Sequence, residues 1–244
     1  MKCGMVLVYN TPTMRKIHII MAAVALLSFS CASAPAVVVY QPAKLSPMPP
    51  AEVTPAPFGT TAAKEAVRKS LADYMDKLRK LNGIYMVQIY PRLSEIAMAG
   101  KDGDYKKLGN IFSKTAACNA QWRTACESFL KSAVYLDFYA SVIPPSDTKN
   151  AIFSLINRGE EFGKETMSYS KALDIYMNSS AEFFYNLKSG NSYDFYVQQN
   201  RKYYGHLVSQ MPRIGNQFVR AWNSLVPVVA KTKQTLSTPS LSKN

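Results

Sequence analysis

From Thr60 onward the hydrophobic residues recur at intervals of three and four. Ala63, Val67, Leu71, Tyr74, Met75, Leu78 and Leu81 trace one face of an α-helix. Thr60 or Thr61 suits its N-cap, and Gly83 stands where a C-terminal glycine belongs. A second helix is expected over 84–98, started or interrupted by Pro91, with a turn at Gly100-Lys101-Asp102-Gly103. Asp104 then opens a segment through Leu108, Ile111 and Phe112. A further helix carries Phe129, Leu130, Ala133, Val134 and Phe138 up to Pro144-Pro145.

Two longer stripes follow. Ser146-Asp147 caps the first, which runs through Ile152, Leu155, Phe162, Tyr169, Leu173, Tyr176 and Phe184 to Ser189-Gly190-Asn191. Ser192 caps the second, which runs through Tyr196, Tyr204, Leu207, Met211, Phe218, Trp222, Leu225 and Val229. Each covers ~40 residues, about 60 Å of helix, and a three-residue turn between matched helices makes them antiparallel. Pro212 and Pro227 are expected to kink or break the last one. No stretch alternates with the period of a strand. The expected fold is therefore all-α: an elongated helical bundle built on a long antiparallel hairpin (about 146–190 and 192–236), with no sheet. Gly163 and Gly215 lie at similar distances from Gly190, so the hairpin would bring them level, at a close helix crossing.

Upstream of Thr60 the pattern changes character. Arg15-Lys16 precedes an unbroken apolar run from Ile17 to Leu27 and then small residues, the layout of a secretory signal peptide over 1–30. The run is too short to span a membrane, which takes about 20 residues. Met14 stands directly before Arg15 and offers an alternative start. Seven prolines lie within 35–59, a density that excludes helix and favours an extended linker. Val37-Val38-Val39-Tyr40 offers a short docking strand as the alternative there.

Leu27-Ser28-Phe29-Ser30-Cys31 resembles the lipobox of bacterial lipoproteins, although Ser28 stands where leucine is commonest. The resemblance implies a lipid-modified Cys31, and Ala32 after it implies the outer membrane, facing the periplasm. Ordinary cleavage after Ala32 or Ala34, giving a soluble periplasmic or secreted protein, is the alternative. The expected organisation is a signal peptide (1–30), a lipid-anchored linker (31–59), a helical domain (60–238) and a short tail (239–244).

Charge narrows the partners. The formal net charge is +13, and only Lys2, Arg15 and Lys16 precede Cys31, so a chain starting there still carries +10. Such a balance favours anionic partners. The excess is uneven: residues 195–244 hold seven basic residues and no acid, whereas 146–190 hold five basic and six acidic ones. Arg201, Lys202, Arg213 and Arg220, with Tyr203 and Tyr204 among them, are the candidate binding residues for an anionic envelope component.

Candidate catalytic chemistry is sparse. Cys118 and Cys126 form an even pair in an oxidising compartment and read as a disulfide, which demands a turn between 119 and 123; the alternative is two thiols on one helix. His206 is the one histidine outside the signal segment, and nothing beside it resembles a nucleophile. Glu160-Glu161 is an acidic pair next to Gly159, but neighbouring helix residues diverge by about 100°. No catalytic residue, metal site or cofactor is expected. The sequence points to a non-enzymatic, lipid-anchored envelope protein that binds or scaffolds another envelope component through a basic helical surface. A peptidoglycan hydrolase, and a nucleic-acid binder in DNA transfer or uptake, are the alternatives.

Overall fold

The computed structural model describes residues 40–42, 44–48, 61–102, 105–188 and 195–237. The signal segment, Cys31 and the tail lie outside them. The helices are α1 (Thr61–Ile84), α2 (Tyr90–Asp102), α3 (Tyr105–Ser141), α4 (Asp147–Lys188) and α5 (Phe195–Ser237). A π-turn, Tyr85–Ile89, joins α1 to α2 without a break. No strand occurs among the described residues, and the expected hairpin is present as α4 and α5, of 42 and 43 residues.

Gly83 does not end the first helix. The rod continues through the π-turn, where the Tyr90 N–H bonds to the Tyr85 carbonyl, five residues back. The widened turn immediately precedes Pro91, whose ring lacks an N–H and would crowd the carbonyl four residues earlier. It also sets both Tyr85 and Ile89 in the core. Nor do Pro212 and Pro227 break α5, which runs through both with each on the exposed side.

The turn between α3 and α4 follows the sequence signals more closely. Pro144 and Pro145 cannot extend α3. Ser146 Oγ accepts the Lys149 backbone N–H at 3.2 Å, and Asp147 sits in the first turn, where the helix dipole favours an anion. Lys149 Nζ donates to the carbonyls of Ser141 and Ile143, both at 2.8 Å, closing the end of α3.

Successive rods run antiparallel. The Trp122 indole on α3 donates to the Leu81 carbonyl at 3.0 Å, Cys126 on α3 meets Gly163 on α4, and Phe162 on α4 meets Trp222 on α5. Close backbone packing joins α1 and α2 to α3, α3 to α4, and α4 to α5, while α1 and α3 each stand apart from α5. Aromatic rings bridge the space between. Phe218 of α5 lies 5.0 Å from Tyr85, 5.5 Å from Trp122 and 5.0 Å from Tyr169, so one ring touches three other elements.

Part of the proline-rich linker belongs to this core. Tyr40 and Leu45 are buried. The Tyr169 hydroxyl donates to the Tyr40 hydroxyl at 3.2 Å, and the Trp222 indole donates to the Ser46 carbonyl at 2.8 Å. The linker is therefore docked at Tyr40 and Leu45 rather than free along its length.

The glycines also serve different neighbours from those expected. Gly163 and Gly215 do not face each other. A Cβ on Gly163 would strike Leu130 of α3, and one on Gly215 would strike the Tyr40 hydroxyl. Close approach is the right description of both positions, but the groups approaching are side chains from elsewhere in the fold.

Candidate anion-binding face

Several cations of α1 and α4, and Arg123 of α3, have acidic partners. Arg68 pairs with Glu65 at 2.8 Å, Lys77 with Asp73 at 2.8 Å and Arg79 with Asp76 at 3.5 Å. On α4, Arg158 pairs with Glu161 at 2.7 Å and Lys164 with Glu160 at 3.8 Å. Arg123 of α3 pairs with Asp174 of α4. These pairs follow from sequence spacings of three and four on one helix, the Arg123 pair excepted.

On α5 the situation is different, because the helix contains no acid. Lys202, Arg213 and Arg220 are exposed and make no ion pair among the described residues; Lys231 is in the same position. At about 100° per residue, the four fall within about 20° of one another around the axis. They form a line about 43 Å long, with successive cations about 10–17 Å apart. Exposed His206 lies near it and shares a 2.8 Å hydrogen bond with Gln210. At the far end, Lys231 borders an open groove of ≈ 1080 Å³ with Asp147, Asn150, Ser154 and Thr235. The alignment was latent in the sequence as spacings of 11, 7 and 11 residues, a signal that a simple count of charges misses.

Of the expected binding aromatics, the two tyrosines separate. Tyr203 is 52% exposed, while Tyr204 is buried and stacks on Tyr176 with centroids 6.2 Å apart. Tyr204 thus belongs to the core and is not available to a partner. Adjacent helix residues point about 100° apart, which is why one of the pair turns inward. The Arg201 side chain lies outside the described residues.

Cys118 and Cys126 are both free. The turn that a disulfide needs does not exist, since α3 continues through 118–126. Eight residues of continuous helix separate the Cα atoms by about 12 Å, beyond the ~7 Å reach of a disulfide. The residues expected to turn instead hold α4. Asn119 Nδ2 donates to the Ser170 carbonyl at 2.8 Å and to Asp174 Oδ1 at 2.6 Å, and Ser170 Oγ donates back to Asn119 Oδ1 at 3.0 Å. Arg123 completes the group on Asp174. Cys126 Sγ donates to the Gly163 carbonyl at 3.3 Å, and burial pushes its thiol up to about 12.

Glu160 and Glu161 are both engaged by the neighbouring cations of their own helix, as given above. Among the described residues no cluster of three or more His, Cys, Asp or Glu side chains is placed to hold a metal ion. None of the described helices is long and apolar enough to cross a membrane. No family model, curated protein or solved structure matches the chain.

Proposed function

We propose that this chain is an exported envelope protein, anchored by a lipid on Cys31, that holds an anionic envelope component along α5. The observation carrying the proposal is the alignment of Lys202, Arg213, Arg220 and Lys231 along one side of a helix that contains no acid, with no ion pair to any of the four among the described residues. One solvated ion pair is worth about 0–1 kcal/mol. Four engaged together supply useful affinity only if the partner can reach all of them. With cations about 10–17 Å apart, a compact anion touches one or two. An extended anionic polymer or a charged surface touches the whole line. The lipobox-like residues ending at Cys31 support the address, and the absence of acid from residues 195–244 supports the sign of the partner.

The full protein is expected to co-sediment with an anionic envelope fraction at low ionic strength. Salt should release it as the screening length falls to about 8–10 Å. Replacing Lys202, Arg213 and Arg220 by Glu should abolish co-sedimentation while the helical circular dichroism stays unchanged. Binding indifferent to both salt and charge reversal would exclude an electrostatic face.

A further inference from the structure

The apolar residues of the C-terminal half of α3 do not all serve the core. Phe129, Ala133, Leu136 and Ala140 are buried against the bundle. Val134, Tyr135, Phe138 and Val142 are 64%, 62%, 66% and 63% exposed, and Tyr139 is 36% exposed. Val134 and Phe138 read from the sequence as part of the core stripe, yet α3 is apolar on two faces and the second is left exposed among the described residues, with Tyr135 and Tyr139 bordering an open groove beside Glu65, Lys69 and Asp73 of α1. These five side chains share one side of the helix and its following turn, and no charged residue interrupts them from 134 to 142 except Asp137, which projects from a different side.

We infer that this stripe is covered by a second copy of the chain, the two α3 helices lying antiparallel about a two-fold axis near Phe138. Area supports that occupant. A whole aromatic side chain presents about 150–250 Å², so the exposed fractions amount to about 500 Å² per copy. Covering the stripe completely on both copies would bury about 1,000 Å², the threshold area of a specific interface. A stripe of one chemistry with its bulkiest ring in the middle is also self-complementary, as an isologous contact requires. Finally, α3 and α5 stand apart, joined through core rings such as Trp122 and Phe218. Pairing through α3 leaves both basic lines uncovered, so a dimer would present two of them. The inference rests on α3 alone and does not need the function proposed for α5.

Light scattering on the full lipid-free chain (Cys31→Ala) at tens of micromolar should give twice the chain mass, and Phe138→Glu with Val142→Glu should halve it. The helical circular dichroism of that variant reports folding. As a second route, Phe138→Cys in a Cys118→Ser background should form a covalent dimer under mild oxidation, and Arg213→Cys on the basic line should not. A monomeric parent chain, or a dimer mass indifferent to the two Glu substitutions, would overturn the inference. So would a monomer whose binding to neutral phospholipid vesicles depends on Phe138, which would assign the stripe to a lipid surface.

Discussion

Replacing Gly159 by Ala sets two opposing effects against each other. In a helix, Ala is favoured over Gly by about 1 kcal/mol, so an unobstructed position should gain stability. At 159 the added methyl would land on the Tyr74 hydroxyl, with Tyr74 Cζ at 3.0 Å and Phe129 Cζ at 3.2 Å behind it. Tyr74 is fully buried, its hydroxyl donates to the Leu155 carbonyl at 3.2 Å, and its ring lies 4.9 Å from that of Phe129. The phenol has no free space to enter. Overpacking costs about 1–3 kcal/mol, and losing the buried hydroxyl's partner costs about 1–3 kcal/mol more. The clash should therefore win, with a net loss of about 1–5 kcal/mol. Gly109→Ala is the control, because nothing lies within 4 Å of that position; it should gain up to ~1 kcal/mol. Tyr74→Phe removes the atom that is in the way, so the double variant should be more stable than the sum of the two single losses predicts, by about 1 kcal/mol or more. Urea unfolding of the four proteins measures this coupling. Equal gains at Gly159 and Gly109, or strict additivity with Tyr74→Phe, would show that the hydroxyl does not occupy the glycine's place.

The remaining predictions concern ionisation and the anchor. Burial holds the phenols of Tyr74, Tyr169 and Tyr176 well above their usual range. The unfolded chain gives up these protons near pH 10 and the folded one does not, so stability is full below that pH and falls as pH rises beyond it. Phenolate absorbance from these residues should then appear in one step with the loss of helix; early, gradual titration of every tyrosine would contradict it. Cys126, with its thiol pushed up to about 12, should resist alkylation until the protein unfolds. A reductant should leave the thermal midpoint unchanged, whereas a drop would point to the disulfide that α3 forbids. Labelled palmitate should enter the protein in cells and Cys31→Ala should release it from the membrane; retention of that variant would remove the lipid anchor from the proposal.

Periodicity carried the helices but not where they join. The stripe from Val67 to Leu81 and those of α4 and α5 lie in the core because a single apolar face, spaced at three and four, has one way to be buried. Breaks were harder to place, because Gly83 and Pro91 are local signals and the π-turn between them is a response to tertiary packing of Tyr85 and Ile89. The proposed turn between Cys118 and Cys126 failed for a similar reason: what Asn119 and Arg123 do depends on Ser170 and Asp174, some fifty residues away in the chain. On the candidate face, the absence of acid from α5 was legible, since it is a property of composition. The inward turn of Tyr204 and the outward turn of Val134 and Phe138 were not, since α3 carries two apolar faces and only the neighbouring helices decide which is covered.

The docking of Tyr40 and Leu45 moves the edge of the folding unit. The first helix begins at Thr61, but the bundle's interior is completed by residues from well before it. Gly215 has no side chain to fill the place of the Tyr40 ring, and the Trp222 indole would lose the Ser46 carbonyl. Excising a buried aromatic ring from a core costs about 3–5 kcal/mol, a large share of the 5–15 kcal/mol that holds an ordinary domain together. If Cys31 carries the lipid proposed for it, a protease cutting after Met48 would therefore do more than sever a tether. It would leave a bundle with an open hole and an unpaired indole, stripped of a large share of its stability. A cut before Tyr40 would leave the plug in place and the bundle intact.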